Sequence, residues 1–147
     1  MTRIAVRGSR SDRGEWESAQ NTPKEQLPPL TSEQRSVAEQ MHIPEEDYQR
    51  IALAGRRTAE KLLKKTEWFA KALQKKVMEK VAEAVVESVV LDTWENKFEI
   101  AIRANGATIP LHVAEGMVDD LFDLGSANAA QRLSEMLEEC FHRLGVL

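Results

Sequence analysis

The most regular alternation of apolar and polar positions in this chain lies between residues 97 and 113. Phe98, Ile100 and Ile102 alternate with Glu99, Ala101 and Arg103. After Asn105-Gly106, Ile109, Leu111 and Val113 alternate with Thr108, Pro110 and His112. Asn-Gly is the preferred pair for a two-residue type I′ turn, because both positions need φ > 0. With that turn fixed, Ala104 meets Ala107, and then Ile102 meets Ile109, Ile100 meets Leu111 and Phe98 meets Val113, all on one face. The expected strands run over about 97–104 and 107–113. Pro110 falls at a non-hydrogen-bonded site, so its missing N–H takes nothing from the pair and marks the second strand as an edge.

The rest of the chain beyond residue 30 carries a helical period. A first helix is expected from Thr31 or Ser32, either of which can accept a backbone N–H, with Val37, Ala38 and Met41 on its apolar face. His42-Ile43-Pro44 breaks it. Pro44 suits the first position of a second helix, and Glu45, Glu46 and Asp47 suit its positive N-terminal end. Tyr48, Ile51, Ala52, Ala59, Leu62 and Leu63 continue the stripe, loosened at Gly55. A long central helix is then expected over about Thr66 to Leu91, with Phe69, Leu73, Val77, Val81, Ala84 and Ser88 at spacings of three and four. Its second half adds Val85, Val86, Val89 and Val90 and is apolar on most sides, as a buried helix would be. For 84–91 a strand is the alternative reading. Two C-terminal helices complete the pattern. The first carries Met117, Val118, Leu121 and Phe122 and ends near Gly125. The second is capped by Ser126, carries Ala130, Leu133, Leu137, Cys140, Phe141 and Leu144, and is stopped by Gly145. Residues 1–30 hold Gly8, Gly14, Pro23, Pro28 and Pro29 without a sustained period, so an extended or disordered tail is expected there. The fold class is α+β and mostly helical, with 31–147 as a single domain.

Charge changes this picture. The 147 residues carry a net −4, unevenly spread. Residues 56–80 hold 9 basic and 3 acidic side chains, whereas residues 81–147 hold 4 basic and 12 acidic. Segments of opposite sign invite association of copies, or an internal pairing that hides both. The basic segment supplies a candidate interaction surface of Arg56, Arg57, Lys61, Lys64, Lys65, Lys71, Lys75, Lys76 and Lys80. The valines Val85, Val86, Val89 and Val90 supply a candidate apolar interface. The tail, with Arg3, Arg7, Arg10 and Arg13, is expected to lie along the acidic region of a neighbouring copy. No run of about 18 apolar residues exists, so no membrane span is expected. One cysteine cannot form an intrachain disulfide, and the arginine-rich start lacks an apolar signal core, so a reducing, cytoplasmic setting is expected.

Candidate chemistry is sparse. Cys140 lies in an apolar helical stripe, and His142 two residues on points elsewhere, so an inert thiol outweighs a nucleophile. Asp119, Asp120 and Asp123 cluster without calcium-loop spacing, and a solvated acidic face is the better reading. His42, His112 and His142 are scattered and have no zinc spacing. No phosphate loop or dinucleotide fingerprint occurs. No enzyme activity, cofactor or metal is expected.

Residues 34–51 have the apolar positions of a helix-turn-helix, with His42 where that motif prefers glycine. Three carboxylates would open its recognition helix, however, and they would meet phosphates at close range. The stretch from Leu30 to Tyr48, with Leu30-Thr31-Ser32-Glu33 and Ile43-Pro44-Glu45-Glu46-Asp47-Tyr48, also resembles the helical pair near the C-terminus of Mu-like phage prohead protease and scaffold proteins. It departs from that pattern at His42, where the family has glycine. No protease domain is expected before it, so no catalytic residue is expected to carry over. The resemblance implies a phage or prophage origin, an assembly role and a place in the cytoplasm or a phage particle. The expected function is therefore a non-enzymatic, self-associating structural or assembly protein, partnered by its own copies or by another assembly protein. The alternative is a small DNA-binding regulator using the basic helix 56–80. A third reading is an enzyme subunit without chemistry of its own.

Overall fold

The computed structural model describes residues 2–8 and 13–145. It divides into two compact units, one of residues 10–61 and one of residues 1–9 together with 62–147. The expected hairpin forms the most local part of the second unit. Strands β3 (Lys97–Ala104) and β4 (Ala107–Ala114) pair in the anticipated register, with Ile102 opposite Ile109, Ile100 opposite Leu111 and Phe98 opposite Val113. Asn105 and Gly106 take φ of 53° and 76° at the turn.

The hairpin belongs to a larger sheet. Strand β2 (Val85–Asp92) runs antiparallel to β3, and strand β1 (Arg3–Arg7) runs parallel to β2, giving the order β1-β2-β3-β4. Two expectations are corrected here. Residues 84–91 are not the end of a helix, and the described part of the first thirty residues is not a structureless tail. The valines misled for a definite reason. A β-bulge lies between Val86 and Ser88, so Glu87 is the extra residue. Beyond a bulge the inward face shifts by one position. Val86 and Val89 therefore both point into the core, three residues apart, and mimic a helical spacing.

The long helix is displaced accordingly. Helix α3 spans Glu45–Lys80 in one run and passes through Gly55 and Thr66 without a break, in place of two helices meeting near residue 65. Thr66 does not cap a helix start, because its hydroxyl donates to the Leu62 carbonyl one turn back, at 2.8 Å. The chain leaves α3 through a turn held by one side chain. Gln74 donates to the Ala84 carbonyl at 3.3 Å and accepts the Val86 N–H at 2.8 Å, which positions the start of β2.

Helices α4 (Glu115–Asp123) and α5 (Ala127–Leu144) follow as expected. The Ser126 side chain accepts the Ala129 N–H, and Gly145 ends α5 with φ of 74°. Phe69, Leu73 and Val77 of α3, Val118 of α4, and Leu133, Leu137 and Phe141 of α5 bury the inward face of the sheet. The Phe69 and Phe98 rings lie 4.9 Å apart and both are buried. Burying each ring contributes about 1.5–3 kcal/mol, and the ring pair adds about 0.5–1.5 kcal/mol.

Residues 10–61 form a small helical unit of α1 (Arg13–Gln20), a 3₁₀ turn at Lys24–Gln26, α2 (Ser32–Gln40) and the first part of α3. Thr31 and Gln34 close a reciprocal capping box on α2. Arg50 organises the unit. Its guanidinium donates to the carbonyls of Ala19, Gln20 and Thr22 at 2.7–2.9 Å, satisfying the end of α1, and pairs with Glu46 at 2.8 Å. His42 takes φ of 56° in the α2–α3 turn, the left-handed conformation for which glycine is the usual residue.

Strand β1 is fastened at its far end. Arg7 pairs with Asp92 at 2.8 Å and Glu99 at 2.7 Å, and its carbonyl accepts from the Thr93 N–H and hydroxyl. Gly8 follows with φ of 92°, and a Cβ there would collide with the Thr93 hydroxyl. The hydrogen bond from Arg7, aided by the N–H groups of Trp94 and Glu95 and opposed by burial, holds the Asp92 carboxyl below its ordinary value of 3.8. A depressed carboxylate contributes stability in full above its unfolded pKa, and that contribution is lost as pH falls through the lower folded value.

Two outcomes follow. Gly106→Val forces a β-branched residue to φ > 0 and should cost about 1–3 kcal/mol in urea unfolding; an unchanged midpoint would contradict the turn. Stability should also drop on acidification below about pH 4, and Asp92→Asn should flatten that part of the pH profile. If the Asp92→Asn variant keeps the parent's acid slope, another carboxylate carries it.

Candidate interaction surface

The basic residues of α3 separate into engaged and unengaged groups. Lys65 donates to Asp119 at 2.7 Å and Glu115 at 3.2 Å, and Lys80 donates to Glu138 at 3.0 Å. Burial works against the charge on Lys65, but its hydrogen bonds to Asp119 and Glu115 outweigh this and hold it above the ordinary lysine value. Glu115 is itself 4% exposed and sits in the first turn of α4, where the helix dipole favours a carboxylate. Arg56 pairs with Glu60 at 3.3 Å, Arg57 donates to the Ser18 hydroxyl at 2.8 Å, and Lys61 is also engaged. More than half of the anticipated cations thus already have partners within the chain.

Lys64, Lys71, Lys75 and Lys76 make no ion pair among the described residues. Lys64, Lys71 and Lys75 stand at helical spacings of seven and four, so they share one line along α3. Trp68 and Met78 fall beside them on the same face, 46% and 50% exposed. The result is a cationic stripe with two large apolar side chains set into it. The sequence showed the charge but not the stripe, because the paired lysines are indistinguishable from the unpaired ones until α4 and α5 are placed.

An acidic edge lies next to it. The Trp68 ring packs against Phe122, and Lys65 holds Asp119, so α4 runs beside this part of α3. Asp120 and Asp123 of α4 are exposed and make no ion pair among the described residues, and Leu124 at its end is 76% exposed. The expected acidic cluster is thus split. Asp119 neutralises a core-side lysine, whereas Asp120 and Asp123 remain outward.

The anticipated apolar interface is corrected. Val86 and Val89 are fully buried in the chain's own core, and only Val85 and Val90 retain partial exposure on the opposite sheet face. The role given to the N-terminal arginines changes as well. Arg7 finds its acidic partners in β2 and β3 of the same chain, and Arg13 pairs with Glu17 one turn on. Arg10 lies outside the described residues.

Cys140 is 4% exposed in the core face of α5, and burial raises its thiol above the ordinary value. His142 is exposed. Among the described residues no three of histidine, cysteine, aspartate and glutamate gather as a metal site would require. No helix among them is long and apolar enough to cross a membrane. No family model, curated protein or solved structure matches this chain.

The buried, raised thiol gives a direct expectation. Cys140 should react with a thiol reagent at the rate of unfolding, and denaturant should accelerate labelling in step with loss of helical signal. Rapid labelling of the native chain would contradict this placement and reopen nucleophilic chemistry at α5.

Proposed function

We propose that this chain is a non-enzymatic assembly protein whose copies associate through α3 and α4. One observation carries the reading. A cationic stripe of Lys64, Lys71 and Lys75, with Trp68 and Met78, lies beside Asp123 of α4, a helix that also carries the outward Asp120 and Leu124, and none of these charges makes an ion pair among the described residues. Adjacent patches of opposite sign are self-complementary under a two-fold axis, because each lysine patch then meets the partner's aspartates. The exposed Trp68, Met78 and Leu124 supply the apolar centre that ionic contacts between exposed side chains do not provide. The resemblance of residues 30–48 to Mu-like phage prohead protease and scaffold proteins supports a setting in particle assembly.

The DNA-binding alternative draws less support. Five of the nine cations of the basic helix 56–80 already have partners within the chain, and the helix-turn-helix reading would open its recognition helix with Glu45, Glu46 and Asp47. Arg35 and Arg50 pair with the first two of these, so both guanidiniums are turned to carboxylates and away from an incoming phosphate.

Light scattering at micromolar concentration tests the proposal. The parent should be a dimer or larger at low salt and dissociate as salt rises. A variant with Lys64, Lys71 and Lys75 changed to Glu should be monomeric, as should one with Asp120 and Asp123 changed to Lys, and mixing the two should restore association. A parent that stays monomeric at low salt would sink the reading. Truncation before Leu30 is not a clean test, since it removes β1 from the sheet. Tight duplex binding that falls steeply with salt would favour the regulator instead.

A further inference from the structure

The sheet has two edges, and they are not equivalent. On β4, Pro110 sits opposite Ala101 at a non-hydrogen-bonded site, so its ring nitrogen faces outward and offers no donor to an incoming strand. That edge is blunted in the way natural sheets avoid unwanted pairing. The β1 edge is short and has an arginine at each end, but no proline interrupts it. In a parallel pair, a residue that bonds the neighbouring strand does so through both its N–H and its C=O, and the residues between point theirs the other way. Arg7 is a bonding residue, because its carbonyl accepts the Thr93 N–H at 2.9 Å and it pairs with Asp92. Arg3 and Ala5 therefore also face β2, and Ile4 and Val6 turn their N–H and C=O groups outward. No described residue bonds those groups.

The space beside that edge is shaped. A hollow of about 470 Å³ lies between β1 and α3, lined by Thr2, Ile4, Ala70, Lys71, Lys75 and Met78 among others. Its floor is apolar and its rim carries two lysines that no carboxylate neutralises among the described residues. A strand laid along β1 would send alternate side chains into this hollow, as the two-residue period of an extended chain requires. Open backbone donors and acceptors, an apolar floor and an uncompensated cationic rim converge on one kind of occupant.

We propose that the β1 edge is a docking site for an extended acidic peptide of another protein, which joins the sheet as a fifth strand. Its backbone pairs with Ile4 and Val6, and the row of side chains on its hollow-facing side sets an apolar residue on the floor between carboxylates that meet Lys71 and Lys75 at the rim. This is recognition by strand addition, in which main-chain bonds give affinity and the alternating pockets give selectivity. The site shares two lysines with the stripe but does not depend on association of copies.

The probe is a labelled synthetic peptide about six residues long, a typical strand length, in which one face of the strand reads glutamate, valine, glutamate and threonine fills the other. Fluorescence polarisation on the full chain should show saturable binding that weakens with salt, with no binding of the matching peptide that has lysine in place of glutamate. Amide hydrogen exchange should slow at Ile4 and Val6 when the acidic peptide is present. Val6→Pro removes an outward N–H without touching the β1–β2 ladder and should abolish binding. Lys71→Glu with Lys75→Glu, both at exposed positions, should weaken it by about tenfold or more while leaving the fold intact. Equal affinity for the acidic and basic peptides would overturn the proposal, as would binding that leaves the Ile4 and Val6 amides unprotected. Undiminished binding by both variants would do the same. Light scattering reports association of copies and the two amides report the edge, so either proposal can fail alone.

Discussion

A sheet with one strongly apolar face cannot stand in water until that face is covered, and this requirement sets the arrangement of the larger unit. Phe98, Ile100 and Ile102 of β3, Val86, Val89 and Leu91 of β2, and Val113 of β4 present the face. Helices α3 and α5 cover it with Phe69, Leu73, Val77, Leu137 and Phe141. Once α3 and α5 are committed to that task, their opposite sides must meet solvent, and these are where the lysines and glutamates lie. The α3 stripe and the outward face of α4 are thus the polar counterparts of a packing decision made in the core.

Parts of this were readable from residues alone, and the boundary between readable and unreadable is physical. The β3–β4 hairpin needed only a turn pair and a period of two, both local. The caps at Thr31, Ser126 and Gly145 were equally local. Strand β2 was missed because the bulge at Glu87 broke its period and turned Val86 and Val89 to one side. Strand β1 was missed because a five-residue segment is specified mainly by its partner, and its partner in the sequence lies 85 residues away at the Arg7–Asp92 pair. The candidate surface was half legible. Charge identified α3, but only the placed α4 and α5 show that Lys65 and Lys80 are internal ties, whereas Lys64, Lys71 and Lys75 are not.

Two single side chains connect elements that the sequence would leave independent. Gln74 bonds the Ala84 carbonyl and the Val86 N–H on either side of the first residue of β2, and so couples the start of that strand to the helix above it. Arg50 closes the carbonyl end of α1 and so makes a short helix of eight residues part of a unit, where alone it would be too short to persist. Both act through fixed hydrogen-bond geometry, and neither contributes a charge that a partner could use.

The clasp around Arg7, Gly8 and Thr93 also bears on the order in which the chain can fold. Strand β1 is synthesised before the helices that separate it from its partner β2, so it waits unpartnered while they are made. Joining ends so far apart carries a closure entropy that short-range contacts do not face, and the hairpin and its covering helices can form without it. The ionic and hydrogen-bonded fastening at Asp92 and Thr93 then acts as a latch on a nearly finished body. Until the latch engages, the side of β2 that β1 will occupy is bare, and a nascent chain in that state exposes its most adhesive surface to other nascent chains.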